Sequence, residues 1–304
     1  MYAKKISEIE NLIQKQDEWR CQCINLIASE NVLSQRARAA GCSDFAHRYA
    51  EGHPGERYYR GTSYIDEIES QLKTNLKIIF ECDHCEVRPI SGTNANEAVF
   101  SRFVGPGDVV MVNSTPGGGH ISHHRRGSLG KFTHNIIDFP VAADGYRIDV
   151  EKAAYLIEKT RPKLIVVGKS LFLFPEPVAE LAEACRHTKT LIMYDAAHVL
   201  GLIAGKRFQR PLAEGAWLMT ASTHKTFFGS QRGVILSNME EDPWRKIDRG
   251  AFPGSSSNHH LDTLAQMAIC AYEMMDFGET YAEDTIRNAK SLAAALDRLG
   301  FDVQ

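Results

Sequence analysis

The chain carries little that would direct it to nucleic acid or to a bilayer. Lysine and arginine total 35 against 38 acidic residues, for a net charge of −3, so there is no basic surplus to neutralise phosphates. No apolar run reaches the roughly 20 residues of a spanning helix. Internal repeats and low-complexity linkers are missing too, which excludes solenoids and tethered arrays. The opening stretch MYAKKISEIENLIQKQDEWR mixes charge with apolar residues at helical spacing. It has neither the apolar centre of a signal peptide nor the Arg/Ser bias of a transit peptide, and reads as an amphipathic arm that packs on something. Without a secretory signal, the odd number of cysteines, seven, is expected as reduced thiols in a cytoplasmic protein. Cys82-Asp-His-Cys85 has the spacing of half a zinc site, but no second pair matches it, so a helix-to-strand turn is expected instead. His120, His123 and His124 lack a neighbouring cysteine or carboxylate, and no metal site is expected.

What is present is an ordinary globular composition, 43% hydrophobic and 24% charged, with length for one large domain and part of another. DVVMVN (108–113), KLIVVG (163–168), TLIMYD (ending at 195) and AWLMTAS (216–222) are short and almost continuously apolar, the pattern of strands covered on both faces. Between such runs, IDVEKAAYLIEKTRP and EPVAELAEACRHT carry helical periodicity, and CEVRPI leads into the helical SGTNANEAVFSRFV. The alternation predicts an α/β fold with a mostly parallel central sheet flanked by helices. Ligands in such folds gather at the carboxyl ends of the strands. After FPGSSSNHH the pattern changes to two long helices, LDTLAQMAICAYEMMDFG and ETYAEDTIRNAKSLAAALDRLG, and the closing FDVQ reads as the opening of a further strand. The expected division is a helical arm over 1–25, a large domain over 26–258, and connecting helices with the start of an incomplete C-terminal small domain over 259–304.

Four strand ends carry distinctive chemistry. Ser91, Gly92 and Thr93 sit at a strand-to-helix turn whose free N–H groups and helix dipole suit an anion, although Ser and Thr there are more often plain N-caps. Asp195 follows four apolar residues, so its carboxylate is expected to be buried and to need a cationic partner. His198 comes three residues later, and Ser170 ends another strand. In MTASTHKTFFGSQRG, Lys225 stands just past an apolar run with Gly229 and Gly233 behind it, whereas a nucleotide P-loop places its glycines in front. A phosphate cradle, a buried carboxylate and a strand-end lysine together match the needs of pyridoxal phosphate: the lysine takes the aldehyde as a Schiff base and the carboxylate keeps the pyridine nitrogen protonated.

These residues lie within longer motifs: INLIASEN, HRYAEGHPGERYYRGTSYIDEIE, RPISGTNANEAVF, GGGHISHHRRGSLG, MYDAAHVLGLIAG and STHKTF. On them the chain resembles the serine hydroxymethyltransferases, fold-type I (aspartate-aminotransferase-like) pyridoxal-phosphate enzymes, over nearly its whole length. RPISGT, SLFLFPEP and the FPG…SNHHL stretch look more like the archaeal branch, which is associated with a modified pterin in some organisms. The resemblance implies Lys225 as the Schiff-base residue, Asp195 as partner of the pyridinium nitrogen with His198 beside it, and His120 stacked on the ring. It also implies Ser91, Gly92 and Thr93 at the phosphate, Ser170 near the phenolic oxygen, and Thr223 and His224 as cofactor neighbours. Ser29 matches a contact to the substrate carboxylate, while equally able to cap a helix. Glu51 matches the acid/base carboxylate and Tyr59 a tyrosine reaching in from a neighbouring subunit.

The resemblance further implies reversible one-carbon transfer between serine and a tetrahydropterin (tetrahydrofolate or tetrahydromethanopterin), yielding glycine, in a cytoplasmic homodimer or tetramer with shared sites. A pterin-independent aldolase or transaldolase acting on β-hydroxy amino acids would use the same lysine, aspartate and histidine. A truncated, non-catalytic partner subunit is a third reading. Departures from the family pattern are Arg232 at a usual glycine, Thr115 beside Pro116 and Ile121 at the pterin-facing run, and no residue assignable to the family's C-terminal carboxylate-clamping arginine.

Overall fold

The computed structural model describes residues 2–303. Helix α1 (Tyr2–Arg20) buries no residue of its own. An extended segment leads to the short α2 (Gln35–Ala40), capped by Ser34, whose side chain accepts from Ala37 N at 3.1 Å. A small hairpin, β1 (Gly52–His53) with β2 (Glu56–Arg57), precedes α3 (Ser63–Phe80), which buries Ile65, Leu72, Leu76 and Ile79 on one stripe. Helix α3 stops at Glu81 in the left-handed conformation, and β3 (His84–Glu86) begins two residues after Cys82. The Cys82–Cys85 segment is therefore a helix-to-strand turn, and among the described residues no His/Cys/Asp/Glu cluster could hold a metal.

The remaining elements alternate: α4 (Gly92–Phe103), β4 (Val110–Val112), β5 (Ile136–Asp138), α5 (Val150–Thr160), β6 (Leu164–Val167), α6 (Val178–Cys185), β7 (Leu191–Asp195), α7 (Leu200–Ala204), β8 (Leu218–Ser222), β9 (Gly233–Ser237), α8 (Glu241–Arg249) and α9 (Leu261–Arg298). The sheet has seven strands in the order β3-β9-β8-β7-β6-β4-β5, parallel throughout except β9, which runs against both neighbours. The four apolar runs became β4, β6, β7 and β8. Strands β5 and β9 complete the sheet without having been expected.

Strand periodicity divides the core between the two sheet faces. Met111, Ile165, Val167, Ile192, Tyr194, Met219 and Leu236 join α3, α7 and α9 in one apolar cluster. The alternating residues Val110, Val112, Leu164, Val166, Met193, Leu218 and Ile235 meet α4 and α8 in the other. Each such side chain contributes about 1.5–3 kcal/mol on leaving water.

Two helices were expected after the FPG stretch; the structure has one, 38 residues long. Gly278, which read as a break, is a packing position. A Cβ at Gly205, closing α7, would lie 2.3 Å from Gly278 O and 2.5 Å from Ala282 Cβ, so paired glycines let the two helices approach. Of FDVQ, residues 301–303 form no strand, and Gln304 lies outside the described residues.

Candidate active site

At the carboxyl ends of β6, β7 and β8 lies a cavity of about 200 Å³ lined by residues from those strand ends, from the start of α4 and from the loop that follows β4. Ser91 caps α4, its Oγ accepting from Asn94 N at 3.1 Å, and Gly92 and Thr93 open the first turn. The first N–H groups of a helix have no partner inside it and carry its positive end, so an anion is favoured here. Gly92 is required by close approach: a Cβ would sit 2.4 Å from Ser222 Oγ.

Asp195, the last residue of β7, is buried. Its Oδ2 accepts from Asn96 Nδ2 at 2.8 Å and lies 2.9 Å from His123 Nε2, while Oδ1 accepts from Ala197 N at 3.0 Å. Thr220 on β8 fixes Asn96 by donating to its Oδ1 at 2.6 Å. Burial works to raise the Asp195 carboxyl; the His123 hydrogen bond and charge, then Asn96 and the Ala197 N–H, outweigh it and hold the acid well below the usual carboxylate range.

Lys225 is half-buried in the same cavity, with Nζ 3.2 Å from His198 Nε2 and, among the described residues, no ion pair. Burial lowers its pKa while Asp195 opposes the shift. Burial, then the charge of Lys225, pushes His198 down to about 4, and burial lowers His120 and His224 as well. The three imidazoles are consequently neutral near pH 7. His120 is oriented by Ser122, whose Oγ lies 2.7 Å from the ring Nδ1 and whose N–H donates to it at 3.2 Å.

Of the residues expected from sequence, Ser91, Gly92, Thr93, His120, Asp195, His198, His224 and Lys225 meet in this cavity. Others do not. Thr223 is buried with its hydroxyl donating to Ser230 O at 2.7 Å, and Ser222 lines the cavity in its place. Ser170 is replaced in the lining by Lys169. Ser29 also stands outside it, two residues before Asn31, whose amide donates to Lys225 O at 2.6 Å and ties that segment to the lysine's backbone. Glu51 and Tyr59 form a separate group: Tyr59 OH donates to Glu51 Oε2 at 3.2 Å and Ser257 Oγ to Oε1. Arg57 brackets Glu51, donating to Ala50 O and Gly52 O at 2.6 and 2.7 Å.

Arg232 neither faces the cavity nor reaches solvent. It is 1% exposed, donating to His259 O, His260 O, Thr263 Oγ1 and Val87 O, and burial lowers it to about 10. Sequence reasoning missed Asn96, His123 and Lys169, although the first two stand inside motifs quoted above and Lys169 directly precedes Ser170. The available signal was the buried acid itself, which at this depth requires donors.

The arrangement offers an anion cradle, an ionised carboxylate at depth, an amine without an ion pair among the described residues and a neutral ring at the wall. Those are complementary to a phosphorylated aromatic aldehyde with a basic ring nitrogen, so pyridoxal phosphate fits the residues present.

The family profile described as serine hydroxymethyltransferase matches residues 3–304. The serine hydroxymethyltransferase of Thermococcus onnurineus is 48% identical over 302 residues, covering 99% of this chain and 70% of that protein. Those of Pyrococcus furiosus and Archaeoglobus fulgidus are 46% and 47% identical, over 99% and 98% of this chain and 71% and 67% of theirs.

Proposed function

The chain belongs to the serine hydroxymethyltransferase family, and on that premise we propose that it moves a one-carbon unit reversibly between serine and a tetrahydropterin, with pyridoxal phosphate as cofactor. The observation that carries the reading is the convergence of Lys225 and Asp195 on one cavity from the ends of adjacent parallel strands β8 and β7.

Bound pyridoxal phosphate supplies an electron sink for the bond broken at the substrate's α-carbon. Ser91, Gly92 and Thr93 would hold its phosphate at the positive end of α4. Asp195, kept ionised by His123 and Asn96, would accept from the ring nitrogen and keep it protonated, which would stabilise negative charge developing at the substrate. Lys225 provides the amine that anchors the aldehyde, and its lowered pKa favours the neutral, nucleophilic form. His120, in the cavity wall, would cover the ring, and His198 lies against the amine.

Glu51 and Tyr59 belong to the site of a second copy of the chain. Their grouping with Ser257 outside the cavity supports this assignment. So does α1, whose Ile6, Ile9, Leu12 and Ile13 are 58–60% exposed and would be covered by a neighbour. There Glu51 handles protons at the serine hydroxyl and the pterin. A cytoplasmic setting accords with the free cysteines, and no helix among the described residues is long and apolar enough to cross a membrane.

The test is a visible spectrum of the purified protein loaded with pyridoxal phosphate, followed by serine cleavage assayed with and without tetrahydrofolate or tetrahydromethanopterin. A cofactor band that Lys225→Ala abolishes, together with pterin-dependent cleavage, supports the reading. Equal cleavage of serine or threonine without pterin replaces it with an aldolase, and a protein that takes up no cofactor removes it.

A further inference from the structure

The cavity that holds Lys225 holds a second lysine. Lys169 follows β6, is 7% exposed and contributes to the same lining. Its Nζ lies 2.7 Å from Glu176 Oε1 and also donates to Tyr146 O. Neither partner belongs to the lining, so the stem of Lys169 borders the cavity while its charged head is bound behind it. Glu176 is itself fixed: Asn113 Nδ2 donates to Oε2 at 3.2 Å, and the Gln209 amide bonds both its N–H and its carbonyl at 2.9 and 3.0 Å. Asn113 also accepts from Gly168 N at 2.9 Å, which braces the acid against the strand end carrying the lysine.

Stability alone is a weak reason for this pair, whose side chains are 5% and 3% exposed, because a buried ion pair is often no better than apolar residues of the same volume. Its chemical consequence is specific. An amine held in an ion pair is an ammonium whose lone pair is occupied by a proton. Lys225 has the opposite setting, without an ion pair among the described residues and half-buried beside a neutral imidazole.

We propose that Glu176 determines which amine of the cavity reacts: it holds Lys169 as a bound ammonium and leaves Lys225 as the amine open to the cofactor aldehyde. The inference rests on the pyridoxal-phosphate reading above. In the reaction at issue the amine nitrogen adds to the aldehyde carbon, water leaves, and a carbon–nitrogen double bond remains. Borohydride then delivers hydride to that carbon and the nitrogen takes a proton, which fixes the adduct as a stable secondary amine.

Wild-type, Lys225→Ala and Lys225→Ala/Glu176→Gln proteins are mixed with pyridoxal phosphate, reduced with borohydride, digested and mapped by mass spectrometry. Wild type is expected to carry the label on Lys225, and Lys225→Ala to be nearly unlabelled at Lys169. Adding Glu176→Gln should raise the Lys169 label about ten-fold, because the amine loses the carboxylate that holds it. Equal Lys169 labelling with and without Glu176→Gln, at any level, overturns the proposal while leaving Lys225 as the anchor in wild type. Absence of label at Lys225 in wild type overturns the cofactor reading and this inference with it. Should circular dichroism show the Gln protein unfolded, Lys225→Ala/Glu176→Asp decides. The shorter acid withdraws from the 2.7 Å contact and should give a smaller rise, and no rise at all overturns the proposal.

Discussion

Asp195 Oδ2 and His123 Nε2, 72 positions apart in the chain, lie 2.9 Å from one another with both residues buried. A carboxylate at that depth is costly to keep ionised unless donors replace the lost water. His123 and Asn96 supply two donors to the same oxygen. The anion is thus prepared by the protein before any ligand arrives, and its remaining capacity is directed at the cavity.

His123→Ala should raise the Asp195 carboxyl toward the ordinary carboxylate range, because it removes both a hydrogen bond and a charge that favour the anion. In the loaded protein this would move the acid limb of the cofactor's absorbance-versus-pH curve upward, with His123→Gln giving a smaller displacement because it keeps a donor. A limb that stays in place would assign His123 to packing alone.

Stability should fall on mild acidification, and the sign follows from four groups. Burial raises Asp195 and Glu69, but His123 and Asn96 at the first, and His259, Lys73 and Arg57 at the second, leave both carboxyls depressed. Their stabilisation is complete above the ordinary carboxylate range and is lost as pH drops through the folded values. His198, held at about 4 against an ordinary 6.5, behaves alike: its contribution is complete above 6.5 and disappears as pH falls through about 4. Glu176, raised by burial, works in the other direction but is one group against three. Scanning calorimetry at fixed ionic strength should show Tm declining from about pH 6.5 toward pH 4; a Tm that climbs over that interval would contradict the assignment.

The apolar runs before Asn113, Gly168, Asp195 and Thr223 made four central strands readable, because strands covered on both faces need no alternation. Ile136–Asp138 was unreadable for the opposite reason: it is three residues long, at the sheet edge and only partly buried. Gly233–Ser237 opens directly on a glycine-bearing turn, so its short apolar run merged with the loop. At the site, each strand-end residue could be read from its own neighbourhood. What could not be read were contacts between segments, such as His123 in a glycine-rich loop reaching β7, or Lys169 turning its head toward Glu176. Gly278 misled because a helix interior tolerates glycine when a second backbone must come close, and Gly205 supplies that backbone.

Arg232 should matter for folding rather than for chemistry. Its guanidinium joins the start of β9 to the chain before α9 and to β3's exit through four hydrogen bonds, three of them to carbonyls. Arg232→Ala leaves those acceptors buried, at about 1–3 kcal/mol for an unsatisfied group, so a loss near 3 kcal/mol and roughly 5 °C in Tm is expected. Lysine cannot reproduce the planar fork, and Arg232→Lys should recover less than half of the loss. Calorimetry of the three proteins decides this, with the cofactor spectrum below the melting range expected to be unchanged.

Glu51 offers the sharpest check on the assembly. Its carboxylate is engaged by Tyr59 and Ser257 and stands apart from the cavity of its own chain, on a turn that Arg57 fixes from both sides. If it serves a second copy, Lys225→Ala and Glu51→Gln proteins should each be almost inactive alone. Mixed under conditions that exchange subunits, they form hybrids in which one site keeps both groups and the other loses both. With random pairing in a two-fold dimer, half the dimers are hybrids, so about a quarter of all sites are whole and about a quarter of wild-type activity should return. A chain that used its own Glu51 would give hybrids with no intact site, and mixing would restore nothing.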